Sequence, residues 1–508
     1  MWRALFFFVS CFLVLCAAAS LGWAQLPTDE CFSEAGRDSE KATRYCSAAI
    51  DSGHLTDYEL VHSLNSRGWA YYRRGAYDRA IQDYDQAIGL KPDYPYAFDN
   101  RGLAYSAKHD YSRAIQDYDE AIHLKPDFAL AFNNRGLAYS NEGDSDQAIR
   151  NFDHAIKLRG DSAGAFYNRG KVYAGQAHFD RAIKDYSQAI QLKPDYADAF
   201  KERSEAFMYK HDYEKALRDI SREIELQPGD AEAISSRGSF YYQKHDYERA
   251  IRDFDRAIQL KPENIFTFWL RAAAYYDRGD YDAAIRDYNE VINLQPEINI
   301  KNIGEIYQRG LAYFYKGDYE GAIQDFTDVA TLESYGFYHR GLALFFMGQF
   351  ARAEEDFARS GEGPYSDIWM YFAQTKLGEN AEEGLREKAP RIREQLEYWP
   401  GPVIKYYLGS LTSAQLIAAA RADDLADKNP CICDNAPVTE NKVRFQYTEG
   451  AAYFYLGKGM LLRGHPEEAR PLFDKAVSMA AKNSDEYHAA LLELALIPGP
   501  AQKKSPLK

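Results

Sequence analysis

The chain of 508 residues lacks the features by which several classes of protein are usually recognised. No run of lysine and arginine is long enough to form a nucleic-acid-binding patch, and the formal net charge is -15, so DNA and RNA are not expected partners. The sequence contains no nucleophile elbow, no phosphate-binding loop and no paired-carboxylate cleft. It therefore indicates neither an enzyme nor a nucleic-acid-binding protein, and it predicts no catalytic residue, cofactor or metal.

The N-terminus lacks charge over a long stretch. A positive start at residues 1–3 precedes an apolar core at 4–15, and a small-x-small pattern ends at Ala24, so residues 1–24 are predicted to be a signal peptide. A bacterial lipid-attachment motif is missing around both cysteines of this stretch. We expect an exported, periplasmic protein without a membrane span after cleavage. Because residues 4–24 just reach bilayer-spanning length, an uncleaved inner-membrane anchor is the alternative.

What the sequence does contain is a dipeptide at a fixed spacing. Arg-Gly, with serine or alanine as its second member in two copies, returns every 34 residues, and its arginines are Arg67, Arg101, Arg135, Arg169, Arg203, Arg237 and Arg271. A fixed period of this length means that one supersecondary unit is repeated. The spacing then loosens, with further Arg-Gly pairs at 309 and 340, and a closing unit spans 450–483.

Small, aromatic and proline residues recur in phase with this dipeptide. Small residues at positions 8, 20 and 27 let two antiparallel helices approach, aromatics at 11 and 24 fill the space between them, and proline at 32 ends the second helix. In the first unit these residues are Gly68, Tyr71, Ala80, Tyr84, Ala87 and Pro92. The pattern closely resembles the tetratricopeptide repeat (TPR) family, whose unit is a 34-residue helix-turn-helix.

The predicted fold is therefore all-α. We expect a right-handed TPR α-solenoid of about nine or ten helix-turn-helix repeats with a helical C-terminal extension. After the signal peptide, the predicted parts are an N-terminal capping half-repeat at 25–60, a TPR array at 61–367, a helical extension with a Cys-x-Cys loop at 368–449, a closing TPR-like hairpin and helix at 450–497, and a flexible tail at 498–508.

Positions 7 and 23 of the repeats change together along the chain. They are arginine and aspartate in Arg67/Asp83 and Arg101/Asp117 and in six further copies, whereas the closing unit has leucine at both positions. Loss of both members at once indicates that they are in contact. The sequence thus predicts structural, partly buried ion pairs within or between the helical hairpins.

Four of the six cysteines follow the signal peptide. Cys46 aligns with the aromatic position 24 of a truncated repeat and faces the helix that carries Cys31, so a disulfide between the two is predicted to staple the N-terminal cap. Cys431 and Cys433 lie in a polar, proline-bounded loop without a neighbouring histidine, which is too sparse for a zinc site. We expect loop thiols or a local disulfide there, and a redox dithiol is the alternative.

The C-terminal third resembles a second, narrower family. The stretches 399–409 (WPGPVIKYYLG), 451–457 (AAYFYLG) and 486–496 (EYHAALLELAL) are similar to the C-terminal part of the bacterial lipoprotein NlpI and related exported TPR proteins. The resemblance implies a periplasmic, homodimeric adaptor that brings peptidoglycan hydrolases together with a processing protease. This chain differs in having many more repeats and no lipid-bearing cysteine motif.

The first helix of each repeat offers a binding face. Positions 2, 5, 6, 9, 12 and 13 fall on one side of that helix, and in TPR proteins this side lines the concave groove. Asparagine recurs at positions 5 and 6, where we expect solvent-facing amides to follow the backbone of an extended peptide. Local hydrogen bonding is the alternative interpretation. The predicted peptide-binding residues are Asn65, Asn100, Asn133, Asn134, Asn168 and, in an apolar zone further along, Trp269.

The sequence therefore predicts a non-enzymatic scaffold or adaptor of the bacterial cell envelope that binds proteins or extended peptides in its groove. Peptidoglycan hydrolases or a processing protease as partners, and homodimerisation, follow from the NlpI resemblance alone. The alternative function is that of a redox-active periplasmic protein that uses Cys431 and Cys433.

Overall fold

The structure is a computed structural model, and it describes residues 27–34, 36–294, 303–361, 363–390, 399–425, 441–479 and 484–497. These residues form helices joined by short connections and contain no β-strand, so the predicted all-α fold is confirmed for them. The predicted signal peptide at 1–24, Cys431, Cys433 and the predicted tail at 498–508 lie outside the described residues. The chain divides into two compact units, Met1–Gln227 and Pro228–Lys508.

The first unit is a series of antiparallel helix pairs that follow one another along the chain. A short pair at its N-terminus precedes five hairpins. The helices are α1 (Pro27–Glu34), α2 (Ser39–Asp51), α3 (Asp57–Arg73), α4 (Tyr77–Leu90), α5 (Pro95–Ala107), α6 (Tyr111–Leu124), α7 (Ala129–Glu142), α8 (Ser145–Leu158), α9 (Ala163–Gly175), α10 (Phe179–Leu192), α11 (Ala197–Tyr209) and α12 (Tyr213–Leu226).

The second unit continues with four such hairpins and a more varied C-terminal part. Its helices are α13 (Ala231–Gln243), α14 (Tyr247–Leu260), α15 (Ile265–Arg278), α16 (Tyr281–Leu294), α17 (Ile303–Lys316), α18 (Tyr319–Ala330), α19 (Tyr335–Phe346), α20 (Phe350–Arg359), α21 (Pro364–Leu377), α22 (Ala381–Lys388), α23 (Gly401–Tyr407), α24 (Ser413–Leu425), α25 (Asn441–Leu462), α26 (Pro466–Met479) and α27 (Asp485–Leu496).

Close contact between a glycine and an aromatic ring joins the two helices of a hairpin. A Cβ atom placed on Gly68 would lie 2.6 Å from Cε1 of Tyr84, and one on Gly102 would lie 2.7 Å from the same atom of Tyr118. Both rings are fully buried. Glycine at position 8 therefore lets the aromatic at position 24 pack directly on the opposite backbone, and the same contact recurs in the closing hairpin between Gly457 and Phe473.

The turn inside each hairpin needs a residue in the left-handed region of backbone space. Glycine supplies it at Gly279 with φ +88°, and His109 occupies the equivalent place with φ +62°. Nδ1 of His109 and the hydroxyl of Tyr111 share a 2.8 Å hydrogen bond. Asp110, which lies between these two residues, caps the second helix by accepting from the backbone N–H of Arg113. Such local hydrogen bonds help a residue with a Cβ to tolerate this conformation. His211 and His245 repeat the arrangement.

The second unit contains the largest apolar core, which extends from the hairpin at 303–330 to the end of α27. Trp369 is fully buried there and packs edge-on against Phe345 and Phe372. Among the described residues, no helix is both long enough and apolar enough to cross a bilayer. The contacts of Trp369 show that aromatic side chains of this unit pack between helices.

Candidate functional site

The first helices of the first unit carry a ladder of side-chain hydrogen bonds, which we call the amide ladder. Asn100 Nδ2 donates to Asn65 Oδ1 at 2.9 Å, and Asn168 Nδ2 donates to Asn133 Oδ1 at 3.0 Å. In each case a position-6 amide bonds to position 5 of the preceding hairpin, so these neighbouring hairpins are held together along the predicted groove face.

The middle step of the amide ladder uses a carboxylate. Asn134 Nδ2 donates to Asp99 Oδ1 at 3.0 Å, and Asn133 approaches Asn134 with Nδ2 3.5 Å from its Oδ1. Asp99 is only 2% exposed, and burial raises its pKa to about 6, although the hydrogen bond from Asn134 opposes this shift. Sequence reasoning missed Asp99. The signal was present, because an acid stands at position 5, where Asn65 and Asn133 stand in the flanking copies.

The expectation that all these asparagines face solvent is wrong for Asn134, which is 6% exposed. Its amide lies between two helices because it bridges hairpins, whereas Asn65, Asn100, Asn133 and Asn168 are half-buried. The local-bonding alternative thus describes part of what these side chains do. Replacing them with alanine will also remove bonds between hairpins, each worth about 0.5 to 1.5 kcal/mol net, so a change in stability is expected.

Aromatic rings flank the amide ladder in the first unit. Trp69 stacks on Tyr72, with ring centroids 5.1 Å apart and planes at 19°, and these residues occupy groove positions 9 and 12 of the first hairpin. Tyr96, at position 2 of the second hairpin, is exposed, and Lys125 lies over its ring and donates to its hydroxyl at 2.9 Å. The face therefore combines neutral amides with flat apolar surfaces.

Trp269 lies in the second unit and is half-buried. It stacks on Phe266, with centroids 6.1 Å apart and planes at 10°, and it also packs against clusters that include Leu270 and Tyr288. Phe266 is 63% exposed. Trp269 therefore packs between helices on one side, and the solvent-exposed ring of this pair is that of Phe266.

The paired positions 7 and 23 lie in contact through a bidentate fork. Arg101 donates from Nε and Nη2 to the two carboxylate oxygens of Asp117 at 2.9 and 2.6 Å, and Arg67 does the same to Asp83 at 2.8 and 2.7 Å. Arg101 also donates from Nη1 to Asp85 of the preceding hairpin at 2.6 Å. One guanidinium therefore joins the two helices of its own hairpin and the hairpin before it, and the Asp117 carboxylate raises its pKa.

The same fork recurs along the array with one variation. Arg135 meets the amide of Asn151, with Nε 2.7 Å from Oδ1. The other forked pairs are Arg169/Asp185, Arg203/Asp219, Arg237/Asp253, Arg271/Asp287, Arg309/Asp325 and Arg340/Asp356. In this geometry the guanidinium groups are used for structure.

A disulfide joins Cys31 in α1 to Cys46 in α2, and both cysteines are fully buried. Cys431 and Cys433, the predicted thiol pair, lie outside the described residues. Elsewhere in the described part, His465, Glu467 and Glu468 bring ligand atoms within 4.8 Å of one another, but all three are exposed. Exposed acidic groups commonly gather in this way without binding an ion, and we assign no metal to them.

Solved structures with a similar backbone match parts of this chain. MamA is 24% identical over 32% of this chain and 94% of MamA, with a TM-score of 0.30. YrrB, described as a TPR protein with an unusual peptide-binding site, is 21% identical over 38% of this chain and 96% of YrrB, with a TM-score of 0.31. The C-terminal part of a TPR repeat-containing protein from Cytophaga hutchinsonii is 19% identical over 47% of this chain and 97% of its own, with a TM-score of 0.40.

Family sequence profiles match the repeats directly. Profiles described as TPR repeat or tetratricopeptide repeat match residues 68–108, 104–143, 129–162, 163–196, 204–267, 266–298 and 306–335. These matches run through both units and together cover about half of the chain. The repeated hairpins, their glycine-aromatic contacts and these matches agree, and the chain is therefore a member of the tetratricopeptide repeat family.

Proposed function

We propose that this protein is a non-catalytic scaffold that binds extended segments of partner proteins along the amide ladder of its first unit. The observation that carries the proposal is the regular placement of neutral amides at groove positions of three successive hairpins, together with the Trp69–Tyr72 stack and the exposed Tyr96 ring beside them. TPR arrays generally present such a face to other proteins.

The amides keep hydrogen-bonding capacity for a ligand. Within the described residues, Asn100 and Asn168 each make a single side-chain hydrogen bond, through Nδ2. A carboxamide offers two N–H donors and an oxygen with two lone pairs, so one N–H and the oxygen of each remain for a ligand. Because backbone groups are the same in every peptide, this surface favours recognition of an extended main chain, with the Trp69–Tyr72 stack as an apolar anchor.

A peptide library displayed on phage and selected against the full-length protein tests this proposal. The affinity of a selected peptide is then measured by titration calorimetry for the wild type, for Asn100→Ala/Asn168→Ala and for the control Gln82→Ala/Gln116→Ala. The control removes two exposed amides from the second helices of the first two hairpins. Asn134 is left unchanged because its burial makes it a packing residue.

We expect the asparagine variant to bind roughly tenfold more weakly or worse, because several hydrogen bonds of about 0.5 to 1.5 kcal/mol each are lost. The glutamine control should bind like the wild type. The loss should depend little on salt, since neutral amides carry no screened charge. Equal affinities for the folded asparagine variant and the wild type, measured below their melting temperatures, would place the binding surface elsewhere.

We also propose that the scaffold works in the bacterial cell envelope. The supporting observations are the leader-like sequence of residues 1–24 and the Cys31–Cys46 disulfide, a bond that persists in oxidising compartments. Peptidoglycan hydrolases and a processing protease are the partner classes, and a homodimer the assembly, that the NlpI-like C-terminal stretches suggest. Cell fractionation with mass spectrometry of the mature N-terminus tests the location. A cytoplasmic chain that starts at Met1 would contradict it.

A further inference from the structure

The last described helix, α27, lies against the groove face of the second unit. The residues that form hydrogen bonds or ion pairs with this helix lie at groove positions of their own repeats. Tyr315 is at position 13 of the repeat that begins at 303, Tyr338 is at position 5 of the repeat that begins at 334, and Tyr455 and Lys458 are at positions 6 and 9 of the closing unit. The second unit therefore places a segment of its own chain where TPR proteins place ligands.

The contacts to the start of α27 are hydrogen bonds to carboxylates. The hydroxyl of Tyr315 donates to Asp485 Oδ1 at 3.0 Å, and the hydroxyl of Tyr455 donates to Glu486 Oε1 at 3.0 Å. Tyr338 adds a hydrogen bond to Asp485. The groove thus offers a cluster of hydroxyl donors, which suits acidic side chains in the first turn of a helix.

A second polar contact lies two turns further along α27. Lys458 Nζ forms an ion pair with Glu493 Oε1, and this lysine is only 3% exposed. Its ammonium group also lies over the rings of Phe345 and Phe372, 5.4 and 5.1 Å from their centroids. A buried ammonium is costly without a partner, so the groove specifically requires an acceptor at this point of any helix that occupies it.

Small residues separate the two polar contacts. Ala489 and Ala490 are fully buried, and with Glu486 and Glu493 they follow the three-and-four spacing of one helical face. Leu491 on the opposite side is 41% exposed, and Leu496 at the end of the helix is 78% exposed. The helix therefore meets the groove through acid, small and acid positions, while Leu494 beside them packs against the apolar core.

We propose that the groove of the second unit is a binding site for an amphipathic helix of a partner protein that presents acidic, small and acidic residues at this spacing, and that residues 484–497 are its built-in competitor. A partner binds by displacing α27, because both use the same tyrosines and lysine. The proposal concerns a different surface from the amide ladder and stands independently of it.

A synthetic peptide with the sequence of residues 484–497, labelled with fluorescein, is the probe. Its binding to full-length protein is measured by fluorescence anisotropy for the wild type, for Ala490→Glu and for Ala495→Glu. Ala490 is buried against the groove, whereas Ala495 is exposed on the same helix, so the two variants add the same side chain to opposite sides. A second peptide carries lysine in place of Glu493.

We expect Ala490→Glu to release α27 and to bind the parent peptide at least tenfold more tightly than the wild type or Ala495→Glu, since a tethered competitor acts at an effective concentration in the millimolar range. The lysine peptide should bind at least tenfold more weakly than its parent, because it faces Lys458. Equal binding by all three proteins overturns the proposed site, and equal binding of both peptides overturns its chemistry.

A measurement on the wild type covers the case in which Ala490→Glu unfolds. Amide hydrogen exchange of residues 485–496 is followed by mass spectrometry with and without a large excess of unlabelled parent peptide. Displacement should raise the exchange rate of these amides at least threefold and leave helices of the first unit unchanged. An exchange rate that excess peptide does not alter shows that α27 is a fixed part of the fold, which overturns the proposal.

Discussion

The ion pair between Arg101 and Asp117 allows a quantitative test of how the hairpins are held together. Asp117 is 5% exposed, whereas Arg101 keeps about one fifth of its side chain exposed and retains Asp85 at 2.6 Å when Asp117 is removed. Removing one partner of a buried pair costs about 3 to 5 kcal/mol. Because Asp85 still pairs with the stranded guanidinium, we expect Asp117→Ala to cost about 3 kcal/mol, at the lower end of that range.

The chain supplies two matched controls for this substitution. Asp117→Asn reproduces the Arg135–Asn151 pair, whose 2.7 Å hydrogen bond survives without the carboxylate, so it should cost about 1.5 kcal/mol. Arg101→Leu with Asp117→Leu reproduces the closing hairpin, in which Leu456 belongs to the apolar core and Leu472 packs against it. Replacing a buried ion pair with apolar residues is often nearly neutral, so the double variant should cost less than Asp117→Ala.

The assay must be local as well as global, because a repeat protein can unfold in parts. Urea titration followed by circular dichroism gives the change in stability of the whole chain, and hydrogen exchange at residues 95–124 reports the affected hairpin. A stabilising ion pair requires energetic coupling between the two positions. If the losses of Arg101→Leu and Asp117→Leu simply add in the double variant, the coupling energy is zero and the pair does not stabilise the hairpin.

Three further predictions test other contacts. Gly102→Ala should lower the free energy of unfolding by about 1 to 3 kcal/mol, because its Cβ would lie 2.7 Å from the buried Tyr118 ring. Gly89→Ala, which has no neighbouring atom within 4 Å, should raise it by about 0.5 to 1 kcal/mol. Urea titration measures both changes. Opening the disulfide of the N-terminal cap with dithiothreitol should lower the stability of that cap by about 3 kcal/mol, measured by hydrogen exchange of α1 and α2, and unchanged exchange would contradict this. Burial raises the pKa of Asp485 to about 6 and of Glu486 to about 7. Docked α27 therefore binds more protons than released α27 between about pH 4 and 7, so docking becomes more stable as the pH falls. The amide hydrogen-exchange rate of α27, corrected for the intrinsic rate at each pH, should slow between pH 8 and pH 5.

The hairpin fold is predictable because the sequence repeats its own evidence. Glycine at position 8 and an aromatic at position 24 recur in phase. Ser204 and Ile220 replace both together in one copy, whereas in another Ala272 replaces only the glycine and Tyr288 keeps the ring. Helix ends are less predictable from the period alone. Helix α3 begins at Asp57, ahead of the repeat phase at 61, because Thr56 and Glu59 form a capping box.

The amide ladder shows where such reasoning stops. The period places asparagines on one helix face, but it does not say whether an amide points at solvent or at the neighbouring hairpin. Asn134 is buried because Asp99, one repeat earlier, accepts its hydrogen bond, and this pairing crosses 35 residues of sequence. Because Asp99 is an exception within its column, a search for what the repeats share passes over it.

The two groove faces show how one repeat can support different chemistry. In the first unit, asparagines at position 5 or 6 of the first four hairpins bond from hairpin to hairpin, with Asp99 as one acceptor, and we propose that this surface suits a peptide main chain. In the second unit, tyrosines and one lysine at positions of the same face bond to carboxylates of α27, which is why we propose that this surface binds an acidic helix. Glycine and aromatic positions fix the spacing of the helices, and they leave the groove positions free to vary. On the two proposals made above, binding specificity depends on residues that the repeat pattern does not constrain.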